Sequence, residues 1–254
     1  MRLFDNGQLR KRWRYVGLFA EELMLCAARA EVGPLTQSFW IFWDRGGRRH
    51  SAHTALRPGS REVRMEGPAL EIDGPDLRAS LRLGECTPIE TTCPSGKSWA
   101  WTRKRVGMPV EGTVEVPGKR WRVSGRGVDD ESAGFHQHHT SWLWSAGVGS
   151  ASDGRPVAWN LVEGINDPPT GSERAIWIDG EPHEPPPVRF RGMEGIELDG
   201  GALAFASEAT HANDENYLLI RSRYRHRFGR FSGSLGGVEL AQGLGVMEEH
   251  DAHW

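Results

Sequence analysis

The 254-residue chain is poor in cysteine and tyrosine, with three of each. Cys26, Cys86 and Cys93 are odd in number and lack zinc-like spacing. This excludes a disulfide framework and a thiolate zinc module, and it suits free thiols in a reducing cytoplasm. Long apolar runs are missing, so no integral membrane helix is expected. The opening stretch, MRLFDNGQLRKRWRYVG, has none of the apolar core that a secretory signal needs. Neither sign of charge dominates: a formal net charge of −3 gives no electrostatic reason to expect nucleic acid. Few segments qualify as helices, and no short repeat of fixed period is visible.

Glycine, proline and tryptophan stand in their place. The 32 glycines and 15 prolines punctuate short runs of aromatic and branched residues, which reads as β structure. Eleven tryptophans are unusual beside three tyrosines. They either pack a core or line a ligand cavity, since a buried indole needs a partner for its N–H and commonly borders a pocket.

The stretch Phe135–Gly164 organises the rest. Two aromatic runs flank Asp153-Gly154, a dipeptide that accepts the positive φ angles of a tight hairpin turn. If these two residues form the turn, Ser152 pairs with Arg155. Trp144 then pairs with Glu163, and Trp142 with Ile165. One face of the hairpin would carry His136, His138, Trp142, Trp144, Trp159 and Glu163. One extra loop residue would instead put Asn160 and Val162 beside the tryptophans.

The remainder reads as strands separated by turns. Glu21–Val32 has a helix-like composition but precedes the evident strand Gln37–Trp43, and is read as a strand. Cys86–Gly96 reads as a loop, Val116-Pro117-Gly118 as a boundary or turn, and Tyr217–Phe228 as one long strand. The expectation is an all-β, antiparallel protein of two units, residues 1–116 and 117–254.

Three segments carry a resemblance: WRYVGLFAEELMLCAARAEVGPLTQSFWIFWDR, HHTSWLWSAGVGSASDGRPVAWNLVEGIND and GLGVMEEHDAHW. Together they look like a poorly characterised bacterial family of unknown function. The resemblance implies a tandem lipocalin-like fold, an architecture shared with hydroxyneurosporene synthase-type carotenoid hydratases and tocopherol cyclase. Those relatives act on long apolar substrates by acid-assisted steps. The family supplies no assigned catalytic residue.

Candidate chemistry is therefore weighed by position. Glu163 among apolar neighbours would be desolvated and become an acid near neutral pH, with His138 as its polar partner. Otherwise it is a strand-end carboxylate reaching solvent or an arginine. Glu248, with His250, offers a second acid on the last strand, unless that end is a hydrated terminus. Glu208 and His211 end another strand and read as solvated. His136, Trp142, Trp144 and Trp159 are the candidate ligand-binding residues. His136 and His138 form a His-x-His pair without an evident third ligand, so no metal is assigned. Arg221, Arg223, Arg225 and Arg227 share a strand face and read as a wet surface paired with carboxylates. The glycine clusters are turns and not phosphate loops, so no cofactor is expected.

These readings converge on a lipophilic small molecule in a tryptophan-lined cavity, with acid-assisted hydration, isomerisation or cyclisation as the enzymatic form. A carrier or sensor, and a structural interaction domain, are the alternatives. The oligomeric state is left open.

Overall fold

The computed structural model describes residues 3–33, 35–56, 61–217 and 220–253. Every regular element among them is a strand, and all strand pairs are antiparallel. No helix is long and apolar enough to cross a membrane.

Two large sheets carry the fold. The first runs, in spatial order, Arg49–Leu56, Leu35–Asp44, Leu23–Val32, Lys11–Phe19, Lys119–Gly134, Ser98–Val116, Arg78–Leu83, Ala69–Asp73, Val63–Glu66. Ile89–Ser95 adds a branch on Ser98–Val116. The second runs Glu181–His183, Ala175–Ile178, Pro156–Glu163, His139–Ala151, Val238–His253, Ile220–Leu235, Gly201–Tyr217, Gly195–Leu198, Arg189–Phe190.

The two orders repeat one topology. In each sheet the first strand leads a meander outward, and the last strand returns to pair with that first strand. Lys119–Gly134 closes on Lys11–Phe19, and Val238–His253 closes on His139–Ala151. This is the tandem lipocalin-like construction.

Alternation sorts side chains into three cores. Val16, Leu18, Trp40 and Leu81 fill the first sheet's own interior. Trp159, Leu161, Phe231 and Met247 fill the second's. Residues of opposite parity, among them Tyr15, Ile41, Trp144, Phe228 and Val246, form a core between the sheets.

Several expectations change. Pro117-Gly118 turns a hairpin inside the first sheet, where Val116 pairs with Lys119. The chain passes between sheets at 135–138, so the 116/117 division is not where the sheets part. Ile89–Ser95, read as loop, is a strand. The single strand expected over Tyr217–Phe228 belongs to two, Gly201–Tyr217 and Ile220–Leu235; Leu218 lies outside the described residues.

The central hairpin differs by one residue, with a clear cause. Gly154 N–H donates to Ala151 O and Ala151 N–H to Arg155 O. The loop therefore holds three residues, Ser152-Asp153-Gly154, with Gly154 at φ +88°. This is a turn followed by a left-handed residue, which adds one position to the two-residue turn. The new register pairs Trp144 with Val162, Leu143 with Glu163 and Gly147 with Trp159. The Trp159 ring lies over Gly147, where a Cβ would come 2.1 Å from Cζ2.

Candidate active site between the sheets

Facing rows of side chains build a cavity of about 140 Å³ between the two sheets. On the first sheet, direct partners across successive strands are Lys104, Asp130, Tyr15, Ala28, Phe39 and Thr54. The adjacent row brings Trp13, Ala30 and Gln37. On the second sheet, one row is Val162, Trp144, Glu248, His226 and His211. The next is Trp142, His250, Tyr224 and Asn213. All but His226 line the cavity, and His226 is bonded to Tyr15 from behind.

Glu248 is at the centre. Trp142 Nε1–H donates to its Oε1 at 2.9 Å, and Tyr224 O–H donates to Oε2 at 2.8 Å. Its residue is 8% exposed. Burial raises its pKa to about 7; the bonds from Tyr224 and Trp142 pull the other way, Asp130 pushes up and Lys104 pulls down. The sum leaves the group at the boundary between acid and carboxylate at neutral pH.

Neutral groups surround it. His250 packs edge-on to Trp142 at 4.4 Å and lies 2.8 Å from the Ser222 hydroxyl. Burial lowers its pKa to about 4. His226, fully buried, is held near 3 by burial, with His211 and His50 adding to the effect. Its Nε2 is 3.0 Å from the Tyr15 hydroxyl and 3.6 Å from Cys26 Sγ. Burial raises the pKa of both Tyr15 and Tyr224.

Beside the aromatic walls sits a buried ion cluster. Lys104 Nζ is 2.6 Å from Asp130 and 3.2 Å from Glu173. Burial disfavours the ammonium, but the two carboxylates outweigh it and raise its pKa. Burial, only partly offset by Lys104, lifts Asp130 to about 6. At another edge, Gln37 donates to both oxygens of Glu215 at 2.9 Å, and Asn213 donates at 2.8 Å.

The expected residues separate. Trp142, Trp144 and Glu248 meet in the cavity. Trp144 Nε1–H donates to Asn160 at 2.8 Å, the neighbour that the shifted register brings. Glu163 lies on the opposite face, where its Oε2 accepts from Phe190 N–H at 2.8 Å. Trp159 is also on that face, bonded to Ser145 and packed on Phe231. His138 is exposed in the crossing segment. His136 is buried against Trp13 at 4.5 Å, outside the cavity lining, and burial lowers its pKa to about 3. The two histidines of the expected pair thus differ, His136 buried and His138 exposed. Glu208, expected in solvent, accepts hydrogen bonds from Arg45, Arg230 and Trp43. Arg225 does pair with a neighbouring carboxylate, Glu249, at 3.4 Å.

Sequence reasoning missed Tyr15, Tyr224, His226 and the Lys104 cluster. Alternation held a partial signal: Tyr224, His226 and Phe228 share one strand face. Among the described residues, the side chains that group donors for a metal are His139, Asp251 and His253, within 4.8 Å of one another and outside the cavity. His139 Nε2 is already 3.0 Å from Asp251.

Residues 54–254 match the model of a family described as a domain of unknown function, DUF2804. The chain belongs to that family. No curated protein matches the DUF2804 chain. Solved structures share its fold. A Nitrosomonas europaea protein assigned as AttH has 12% identity and a TM-score of 0.68, over 98% of this chain and 96% of its own. Kievitone hydratase from Nectria haematococca has 13% identity and a TM-score of 0.63, over 94% and 88%. CghA bound to Sch210972 has 8% identity and a TM-score of 0.52, over 96% and 88%. At these identities the likeness is one of architecture.

Proposed function

We propose that this DUF2804 protein is an enzyme that binds a lipophilic substrate between its sheets and protonates it from Glu248. The observation that carries this reading is the Glu248 carboxyl, buried in an aromatic cavity and oriented by Trp142 and Tyr224. Each carboxyl oxygen keeps a second lone pair, so a proton on either can point into the cavity. Transfer to an alkene carbon forms a C–H bond, breaks the π bond and leaves a carbocation beside the Glu248 carboxylate. The faces of Trp13, Trp142 and Trp144 stabilise such charge. Water then adds and returns a proton, giving hydration. Loss of a neighbouring proton gives isomerisation, and attack by another π bond followed by proton loss gives cyclisation. In each case the proton returns to Glu248.

The hydratase name of one fold neighbour supports the reaction class only by analogy. Cys26, Cys86 and Cys93 are all free, which supports a cytoplasmic setting.

Mass spectrometry of small molecules extracted from the native protein identifies the ligand class. Incubation of that class in D₂O then reads deuterium gained at carbon. Glu248→Gln should slow incorporation about 100-fold or more, within the range for loss of a general acid. Glu163→Gln should leave it near the parent rate. Turnover surviving Glu248→Gln overturns the assignment of the acid. Ligand retained by the parent protein without any turnover favours a carrier.

A further inference from the structure

The cavity wall is unbalanced in charge. Four carboxyl groups line it, those of Asp130, Glu173, Glu215 and Glu248, against one basic side chain among the described residues, Lys104. Lys104 has no charge to spare, because its Nζ is already held between Asp130 and Glu173. His211 and His250 also line the cavity, and burial favours the neutral form of both. The sheets supply no helix terminus, and most wall residues come from paired strands whose N–H groups are spent in the ladders. A carboxylate or phosphate entering here would meet like charge at low dielectric, while the one basic side chain of the wall among the described residues is already held by Asp130 and Glu173. A hydroxyl or carbonyl meets usable partners: the Tyr224–Glu248 pair, the Ser222–His250 pair and the Asn213 amide.

We propose that the ligand of this cavity is an uncharged amphiphile, an aromatic or hydrocarbon body bearing a hydroxyl or carbonyl, and that its carboxylate counterpart is rejected. The proposal rests on the reading of the inter-sheet cavity as the ligand site. It separates neutral terpenoid-like or phenolic molecules from fatty acids and isoprenoid diphosphates, which share the apolar body but carry an anionic head.

A matched pair of probes tests it: 2-naphthalenemethanol and 2-naphthoate, titrated calorimetrically into the full chain at pH 8. The alcohol should bind at least 10-fold more tightly than the carboxylate. Ala30→Phe fills the cavity from the wall opposite Glu248 and should abolish alcohol binding, with circular dichroism reporting an intact fold. Glu215→Gln removes one negative charge without changing shape and should narrow the gap between the probes. If both probes bind equally and Ala30→Phe removes both, the cavity reading stands and the charge inference is overturned. Binding of neither probe, or binding indifferent to Ala30→Phe, overturns the cavity reading and this inference with it.

Discussion

Tyr15 of the first sheet and His226 of the second meet across the buried interface, with the tyrosine hydroxyl 3.0 Å from Nε2. His226 is also the direct strand partner of Glu248. The pair therefore pins the first sheet to Ile220–Leu235, the strand next to the one that carries Glu248. Tyr15 adds an edge contact to Trp144, with ring centroids 5.2 Å apart.

Tyr15→Phe tests that pin. The ring and its Trp144 contact remain, while buried Nε2 loses its hydroxyl partner. The expected cost is about 1–3 kcal/mol, the penalty for an unmade buried hydrogen bond. Urea unfolding measures it. A variant as stable as the parent would show that Cys26 Sγ, 3.6 Å from the same nitrogen, takes over.

Gly147 has a measurable packing role. Its missing side chain seats Trp159, and a Cβ there would lie 2.1 Å from the indole. Gly147→Ala should destabilise by about 1–3 kcal/mol through overpacking. Trp159→Phe in the same chain should recover part of that loss, as coupling between contacting residues requires. Purely additive losses would show that the ring is not seated on this glycine.

The sequence made the strands legible because alternation is local. Leu23–Val32 reads as a strand despite its helix-forming composition, because its neighbour is plainly one. Alternation puts Trp142 with Trp144, and Glu248 with His250, on one face of their own strands, but not the pairing across 106 residues that brings Glu248 to Trp142. The hairpin register does not follow from alternation either, because Asp-Gly serves both a two-residue turn and a three-residue loop, and one residue moves Glu163 and Trp159 to the far face. Contacts between sheets were beyond reach for a different reason. Tyr15 and His226 are separated by 211 residues, and no local pattern reports such a pairing.

Arg45 and Glu208 join the sheets at another edge, with Arg45 Nε 2.8 Å from the carboxylate. Burial pushes Glu208 up, but hydrogen bonds from Arg45, Arg230 and Trp43 outweigh it and bring its pKa down to about 2. A depressed carboxyl stabilises the fold above its ordinary pKa of 4.5 and loses that contribution as pH falls towards 2. Acid unfolding should therefore steepen between those values. Glu208→Gln should flatten this limb, and an unchanged acid limb would remove Glu208 from the linkage.

Glu248 gives the opposite sign. Its pKa is raised from 4.5 to about 7, so between these values the folded protein binds a proton that the unfolded chain has released. Stability should fall as pH rises through that window and level off above it. The full drop is at most about 3 kcal/mol, from the free energy of one pKa unit. Glu248→Gln should abolish the slope, because the amide does not titrate. Activity should follow the same ionisation: the donor form disappears above pH 7, so the rate should fall there. Neighbours then move the midpoint in directions that a merely structural role cannot produce. Tyr224→Phe removes a bond that favours the carboxylate and should shift the midpoint upward. Asp130→Asn removes a nearby negative charge and should shift it downward. Carbon-13 titration of the Glu248 carboxyl reads the midpoint directly, without a substrate. A midpoint near 4.5 in the parent, unmoved by either variant, would show that the carboxyl is solvated and would remove the physical basis for its role as the acid.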